Sequence, residues 1–199
     1  VLSKCDALLQ VIRAFADEGV PHAAGRIDPR RDLAMLRQEL ILSDLVIVER
    51  RIERIQAGLK KARSAEGPAL QQELALMERF RAALEEERPI ADLSLTNEER
   101  ALIRGFQFLT AKPSLVVVNL GEADDLTTDV SWANGHVYSA ALALKGSLEM
   151  EIAQLPEEEM SLFLQSYDIS EPSLNVMVRE CYSLLGLMSF FTVGEDEVR

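Results

Sequence analysis

Cysteine is nearly absent from this sequence of 199 residues, with two widely separated examples, Cys5 and Cys181. That pattern excludes a disulfide framework or a cysteine-rich metal motif, and it fits a reducing compartment. Aromatic residues make up only 6% of the chain while hydrophobic residues make up 48%, so the core must be largely aliphatic. Apolar runs never approach the roughly 18 residues that mark a membrane helix, and there is no signal-peptide pattern, so a soluble intracellular protein without a membrane partner is expected. Positive charge is scarce in the second half. Residues 111–199 hold 4 Lys and Arg against 15 Asp and Glu, within a net charge of -12. Phosphate contacts need local positive charge, so direct DNA binding is not expected there. Only residues 26–63 are basic, with 10 positive against 6 negative side chains, which suits a local docking face. The chain begins Val1-Leu2-Ser3 and ends Glu197-Val198-Arg199 without initiator or terminator features, and is expected to be a piece of a longer one.

Against these absences stands Lys112-Pro113-Ser114-Leu115-Val116-Val117-Val118-Asn119-Leu120-Gly121-Glu122. An unbroken β-branched and aliphatic run, opened by proline and closed by a polar loop, predicts a central strand of a parallel sheet buried on both faces. Ligands of open α/β sheets sit beyond the carboxyl ends of the strands, which makes Asn119 and Glu122 candidate site residues. Companion strands are predicted near 8–15 and at His136-Val137-Tyr138. Residues 141–155 read as a weak helix or loop, and Phe190-Phe191-Thr192-Val193 as an edge strand.

Between the first two strands the hydrophobic period becomes helical. Asp28 is placed to cap a helix opened by Pro29. Ile41, Leu45, Val48, Ile52, Ile55 and Leu59 repeat at alternating spacings of four and three, as do Leu70, Leu74, Met77, Arg81 and Leu84 after the Ser64–Pro68 turn. Two such helices form a projecting antiparallel hairpin, whose arms carry opposite charge from Arg50, Arg51 and Arg54 on one and Glu73, Glu78 and Glu85 to Glu87 on the other. Thr96 and Glu99 form a capping box for a helix over 97–109, expected to bury Leu102, Ile103, Phe106 and Leu109. A further helix from Pro172 is expected to turn Leu174, Met177, Val178, Cys181 and Leu185 inward. His22 and His136 lack a third metal-type ligand at useful spacing. Glu157-Glu158-Glu159 opens a helix and lacks the alternating oxygens and glycine of a calcium loop.

Asn119-Leu120-Gly121-Glu122 resembles the base-reading loop of P-loop GTPases, usually Asn-Lys-x-Asp. With Gly25-Arg26-Ile27-Asp28-Pro29, the helical hairpin, Leu109-Thr110-Ala111-Lys112-Pro113 and the segment Phe190 to Arg199, the chain resembles the YchF family of Obg-like ATPases over essentially its whole length. The resemblance implies an α/β, P-loop-type, mostly parallel sheet, incomplete on its N-terminal side, with an inserted antiparallel coiled-coil hairpin. It implies sheet segments at 1–29 and 89–199 around a hairpin at 30–88. It also implies a cytoplasmic, ATP-preferring hydrolase that tolerates GTP, uses Mg2+ and associates with the ribosome. The phosphate-binding Gly-rich Lys-Ser/Thr loop, the switch segments and the Asp-x-x-Gly motif of that family are not in this sequence, nor is its TGS domain, so no catalytic residue is assigned and these residues alone are not expected to hydrolyse nucleotide.

For the base, the resemblance implies contacts from Asn119, Leu120, Glu122, Ser139 and Ala140. An aspartate accepts the paired N–H donors of guanine. The longer Glu122 removes that fork and is expected to position the loop, while Asn119 bonds the purine, Leu120 packs on base or ribose, and Ser139 and Ala140 offer backbone N–H groups. A different class of function is a non-enzymatic module that docks through the basic stretch Arg50 to Arg63. A natural Gly-x-x-x-x-Gly-Lys-Ser/Thr segment ahead of Val1 distinguishes the two.

Overall fold

The computed structural model describes residues 2–60, 67–135, 137–167 and 169–190. Three parallel strands form the sheet: β1 (Leu8–Arg13), β2 (Ser114–Asn119) and β3 (Ser139–Leu144), in the order β1-β2-β3. The register sets Leu8 beside Ser114 and Arg13 beside Asn119 on one side of β2, and Ser114 beside Ser139 and Asn119 beside Leu144 on the other. Central position explains the apolar run: Ser114 to Val118 are all buried, whereas Leu9 and Val11 of the outer strand β1 are exposed between buried Leu8, Gln10 and Ile12. The helices are α1 (Pro29–Leu59), α2 (Gly67–Glu85), α3 (Asn97–Ile103), α4 (Gly146–Ile152), α5 (Glu157–Ser166) and α6 (Ser173–Leu184).

Asp28 caps α1 as expected, its carboxylate accepting from the Arg31 N–H at 3.2 Å, with Pro29 in the first turn. The helix serves two cores. Near its start Leu33 joins Ile12, Val116, Val118, Leu120 and Ala133 under the sheet. Farther on, Ile41, Val48, Ile52 and Ile55 pack with Leu76, Met77, Phe80 and Leu84 of α2, and this cluster extends to Ile90, Ile103 and Phe108. Gly58 lies against Leu70, Arg51 bonds Glu73, and Gln38 reaches Glu87. The apolar stripe is therefore not closed by the two helices alone, because α3 and the segment leading to β2 cover part of it.

Several expectations change. The third strand is Ser139–Leu144, not 136–138. Val137 and Tyr138 are exposed, and His136 lies outside the described residues. Alanine and leucine favour helix in isolation, so Ala140 to Leu144 did not read as a strand, but pairing with β2 overrides that preference. The Thr96–Glu99 capping box is present and Ile103 is buried as expected, yet α3 stops at Ile103; Leu102 is 46% exposed, and Phe108 is buried where the helical period did not place it. On α6, Leu174 and Val178 face solvent rather than inward. Most of the 64–68 turn and all of the 190–193 strand after Phe190 lie outside the described residues.

Candidate functional site

Burial of Leu115 to Val118 carries β2 straight to its carboxyl end, where Asn119 is the last strand residue and half-buried. Its backbone continues the ladder on both sides: the Ala14 N–H donates to the Asn119 carbonyl at 2.8 Å, and the Leu120 N–H donates to the Leu144 carbonyl at 2.8 Å. Asn119 Oδ1 accepts from the Gly146 N–H at 2.9 Å. A Cβ at position 146 would stand 3.0 Å from both terminal atoms of the Asn119 amide, so glycine permits this close approach. Two more bonds shape the loop. The Gly121 N–H donates to Asp124 Oδ2 at 2.7 Å, and Lys145 Nζ donates to the Glu122 carbonyl at 2.9 Å.

These loops border a cleft of about 410 Å³, walled by Phe15 and Asp17 after β1, Asn119 to Glu122 after β2 and Ser147 after β3. It lies outside the carboxyl ends of all three strands, where ligands bind in open α/β sheets. Arg13 fixes the Phe15 side of the cleft: its Nε donates to the Phe15 carbonyl at 2.9 Å, its guanidinium sits 4.8 Å from the ring centroid, and Nη1 donates to the Val20 carbonyl at 2.7 Å.

Of the five residues expected to meet the base, the fold brings together Asn119, Leu120 and Glu122. The Glu122 side chain is exposed and its carbonyl, held by Lys145, ties two loops. Leu120 borders the cleft but is only 6% exposed, its side chain packed in the sheet core. Alternation along β2 puts residue 120 on the same face as Val116 and Val118, which turns it inward rather than onto a ligand. Ser139 and Ala140 lie elsewhere. They open β3 opposite Ser114 and Leu115, five and four strand positions from Asn119, or about 16 and 13 Å at ~3.3 Å per residue. Lys145, Gly146 and Ser147 occupy the place expected of them. The signal for this was a glycine two residues past an aliphatic run; for Phe15 it was its position just past β1.

Other polar residues have structural partners. His22 Nε2 lies 2.8 Å from Asp32 Oδ2, and its Nδ1 accepts from the Ala24 N–H at 3.1 Å. Asp44 is fully buried and accepts from the N–H groups of Leu109 and Thr110 at 2.9 and 2.7 Å and from the Thr110 hydroxyl at 2.7 Å. Burial raises its pKa, opposed by those bonds and by Lys112. The expected basic face is not free-standing: Arg51 makes a two-point pair with Glu73 at 2.7 Å, and Arg50 and Arg54 alternate with exposed Glu49 and Glu53. Among the described residues no group of three His, Cys, Asp or Glu side chains is arranged to hold a metal ion. No described helix is long and apolar enough to cross a membrane.

No protein-family model matches the chain. Curated proteins do. The ribosome-binding ATPase YchF of Bacillus subtilis is 34% identical across the whole chain, which spans 55% of that protein. The protein of the same name from Haemophilus influenzae is 36% identical, again across the whole chain and over 54% of its own length. Obg-like ATPase 1 of Caenorhabditis elegans is 30% identical over 51% of its length. A solved structure of the Schizosaccharomyces pombe YchF GTPase superposes with a TM-score of 0.84 at 30% identity, covering 99% of this chain and 55% of that one. The chain thus spans about half the length of the relatives it matches. End to end in sequence and in fold, it is a homologue from the YchF and Obg-like ATPase family.

Proposed function

We propose that the cleft beside Asn119 takes the purine of ATP, and that the chain supplies the base-recognition part of a P-loop-type hydrolase associated with the ribosome. The observation that carries this reading is the bond from Gly146 N–H to Asn119 Oδ1. It fixes which end of the amide is which, because a carbonyl oxygen can accept and the amide nitrogen cannot. The Nδ2 donors are left to offer to a ligand. Ring N7 is an acceptor in adenine and guanine alike, so Asn119 orients either purine and GTP is tolerated. Preference for ATP then rests on what meets the exocyclic group, with Lys145-Gly146-Ser147 and Glu122 at the loop junction and Phe15 on the far wall. Glu122 acts by holding the loop.

Phosphate and Mg2+ chemistry belongs to residues beyond these, so no catalytic role is given to this chain. The relatives' names supply the ribosome as partner. In this reading 1–29 and 89–199 build the nucleotide domain, and 30–88 is an antiparallel coiled-coil arm that displays a contact surface. The test is titration of the complete natural polypeptide containing these residues with ATP and GTP in magnesium, with an Asn119→Asp variant beside it. Aspartate keeps the acceptor for Gly146 and deletes the donors, so loss of binding without loss of folding is the expected result.

A further inference from the structure

Where α1 crosses the amino end of the sheet, a pocket of about 30 Å³ lies on the side away from the Asn119 cleft, lined by Leu8, Gln10, Arg37, Ile41, Ser114 and Tyr138 among others. Gln10 and Arg37 both line it, and each has a buried polar atom without a hydrogen-bonding partner among the described residues: Gln10 Oε1 and Arg37 Nε. Gln10 is only 7% exposed. Arg37 cannot swing away to find a partner. Its Nη2 donates to the Ala133 carbonyl at 2.5 Å, and its guanidinium is packed so tightly on Gly135 that a Cβ there would come within 2.7 Å of Nη1.

An acceptor and a donor left unpaired at one small pocket define the chemistry of what joins them. A simple cation cannot accept from Arg37 Nε, and an anion cannot donate to Gln10 Oε1. A neutral molecule with both capacities satisfies both, and the space is sufficient, since a buried water needs on the order of 10–15 Å³ and two or more polar partners. We propose that this pocket is a binding site for ordered water, which donates to Gln10 Oε1 and accepts from Arg37 Nε and so joins strand β1 to helix α1. The bridge fixes the root of the helix pair against the sheet. It relieves two buried groups that would otherwise each carry an uncompensated desolvation cost.

The test is a crystal structure of the complete natural polypeptide, grown with sodium bromide at a resolution that shows waters, together with thermal unfolding of a Gln10→Met variant. The expected result is water density within hydrogen-bonding distance of both atoms, no anomalous bromide peak in the pocket, and a midpoint lowered by about 2–4 °C in the variant, with ATP affinity unchanged. A bromide peak would mean that the Gln10 amide is turned to present its nitrogen and that the pocket is an anion site. That result overturns the proposal, as does a direct Gln10–Arg37 bond in a collapsed pocket. An unchanged midpoint for Gln10→Met overturns it as well, and the water density tests it even if that variant does not fold.

Discussion

Gly146 donates its backbone N–H to Asn119 Oδ1 at 2.9 Å, across the gap between the ends of β2 and β3. This bond makes two loops one surface and leaves only N–H donors on the Asn119 amide for a ligand. Replacing Asn119 by Ala removes both the tie and the donors. Loss of one or two such hydrogen bonds is expected to weaken nucleotide binding by tenfold or more, at about 1.4 kcal/mol per factor of ten. Fluorescence titration with a labelled ATP analogue on the complete polypeptide checks this.

Gly146→Ala approaches the same contact from the other side. Its Cβ would press on the Asn119 amide at 3.0 Å, and the end of a side chain yields to such pressure more easily than backbone does. Folding stability is therefore expected to change by less than about 1 kcal/mol while nucleotide affinity falls, because the amide leaves its orientation. Urea unfolding and a nucleotide titration on one preparation separate the two effects.

The helix pair holds a two-point ion pair, Arg51 to Glu73, with the Glu73 side chain only 10% exposed and that of Arg51 33%. The bond to Glu73 raises the pKa of Arg51, opposed by partial burial. Glu73→Ala leaves Arg51 without its partner and is expected to cost about 1–2 kcal/mol, discounted for the solvent around Arg51. The double variant Arg51→Met with Glu73→Leu is expected to recover most of that. Denaturant midpoints arranged as a double-mutant cycle provide the measurement.

Much of this architecture was legible from residue pattern. The run Leu115 to Val118 announced a strand buried on both faces, and so placed Asn119 at a carboxyl end. The Asp28 cap and the Thr96–Glu99 box marked two helix starts, because each satisfies backbone N–H groups that a helix leaves open. What stayed hidden depended on contacts distant in sequence. The Ala-Leu run of β3 becomes a strand only beside β2, and with the strand placed too early, Ser139 and Ala140 were assigned to the wrong end of the sheet. Leu120 stands where the resembled loop has a lysine, which suggested a base contact, but strand alternation still governs its side chain and turns it into the core. Glu73 looked like a surface charge until α1 packed over it.

Asp44 gives a pH signature. Burial raises its folded-state pKa above the usual aspartate value, so ionisation costs more in the folded chain than in the unfolded one. The contribution to stability is therefore greatest below the usual aspartate range and declines as pH rises from there through the raised value. Asp44→Asn abolishes that slope and costs one acceptor. The stability difference between parent and variant is expected to shrink as pH rises through this window, read from urea midpoints at several pH values; a difference that grows would mean that the bonds from Leu109 and Thr110 outweigh burial.

The most direct measurement is calorimetric titration of ATP, in magnesium, into the complete natural polypeptide and its Asn119→Asp variant, with thermal unfolding of both. The account predicts that the parent binds, that the variant loses binding by at least tenfold, and that the unfolding midpoints agree because Gly146 keeps its acceptor. Equal affinity in the two proteins, or no binding by the parent, would contradict it.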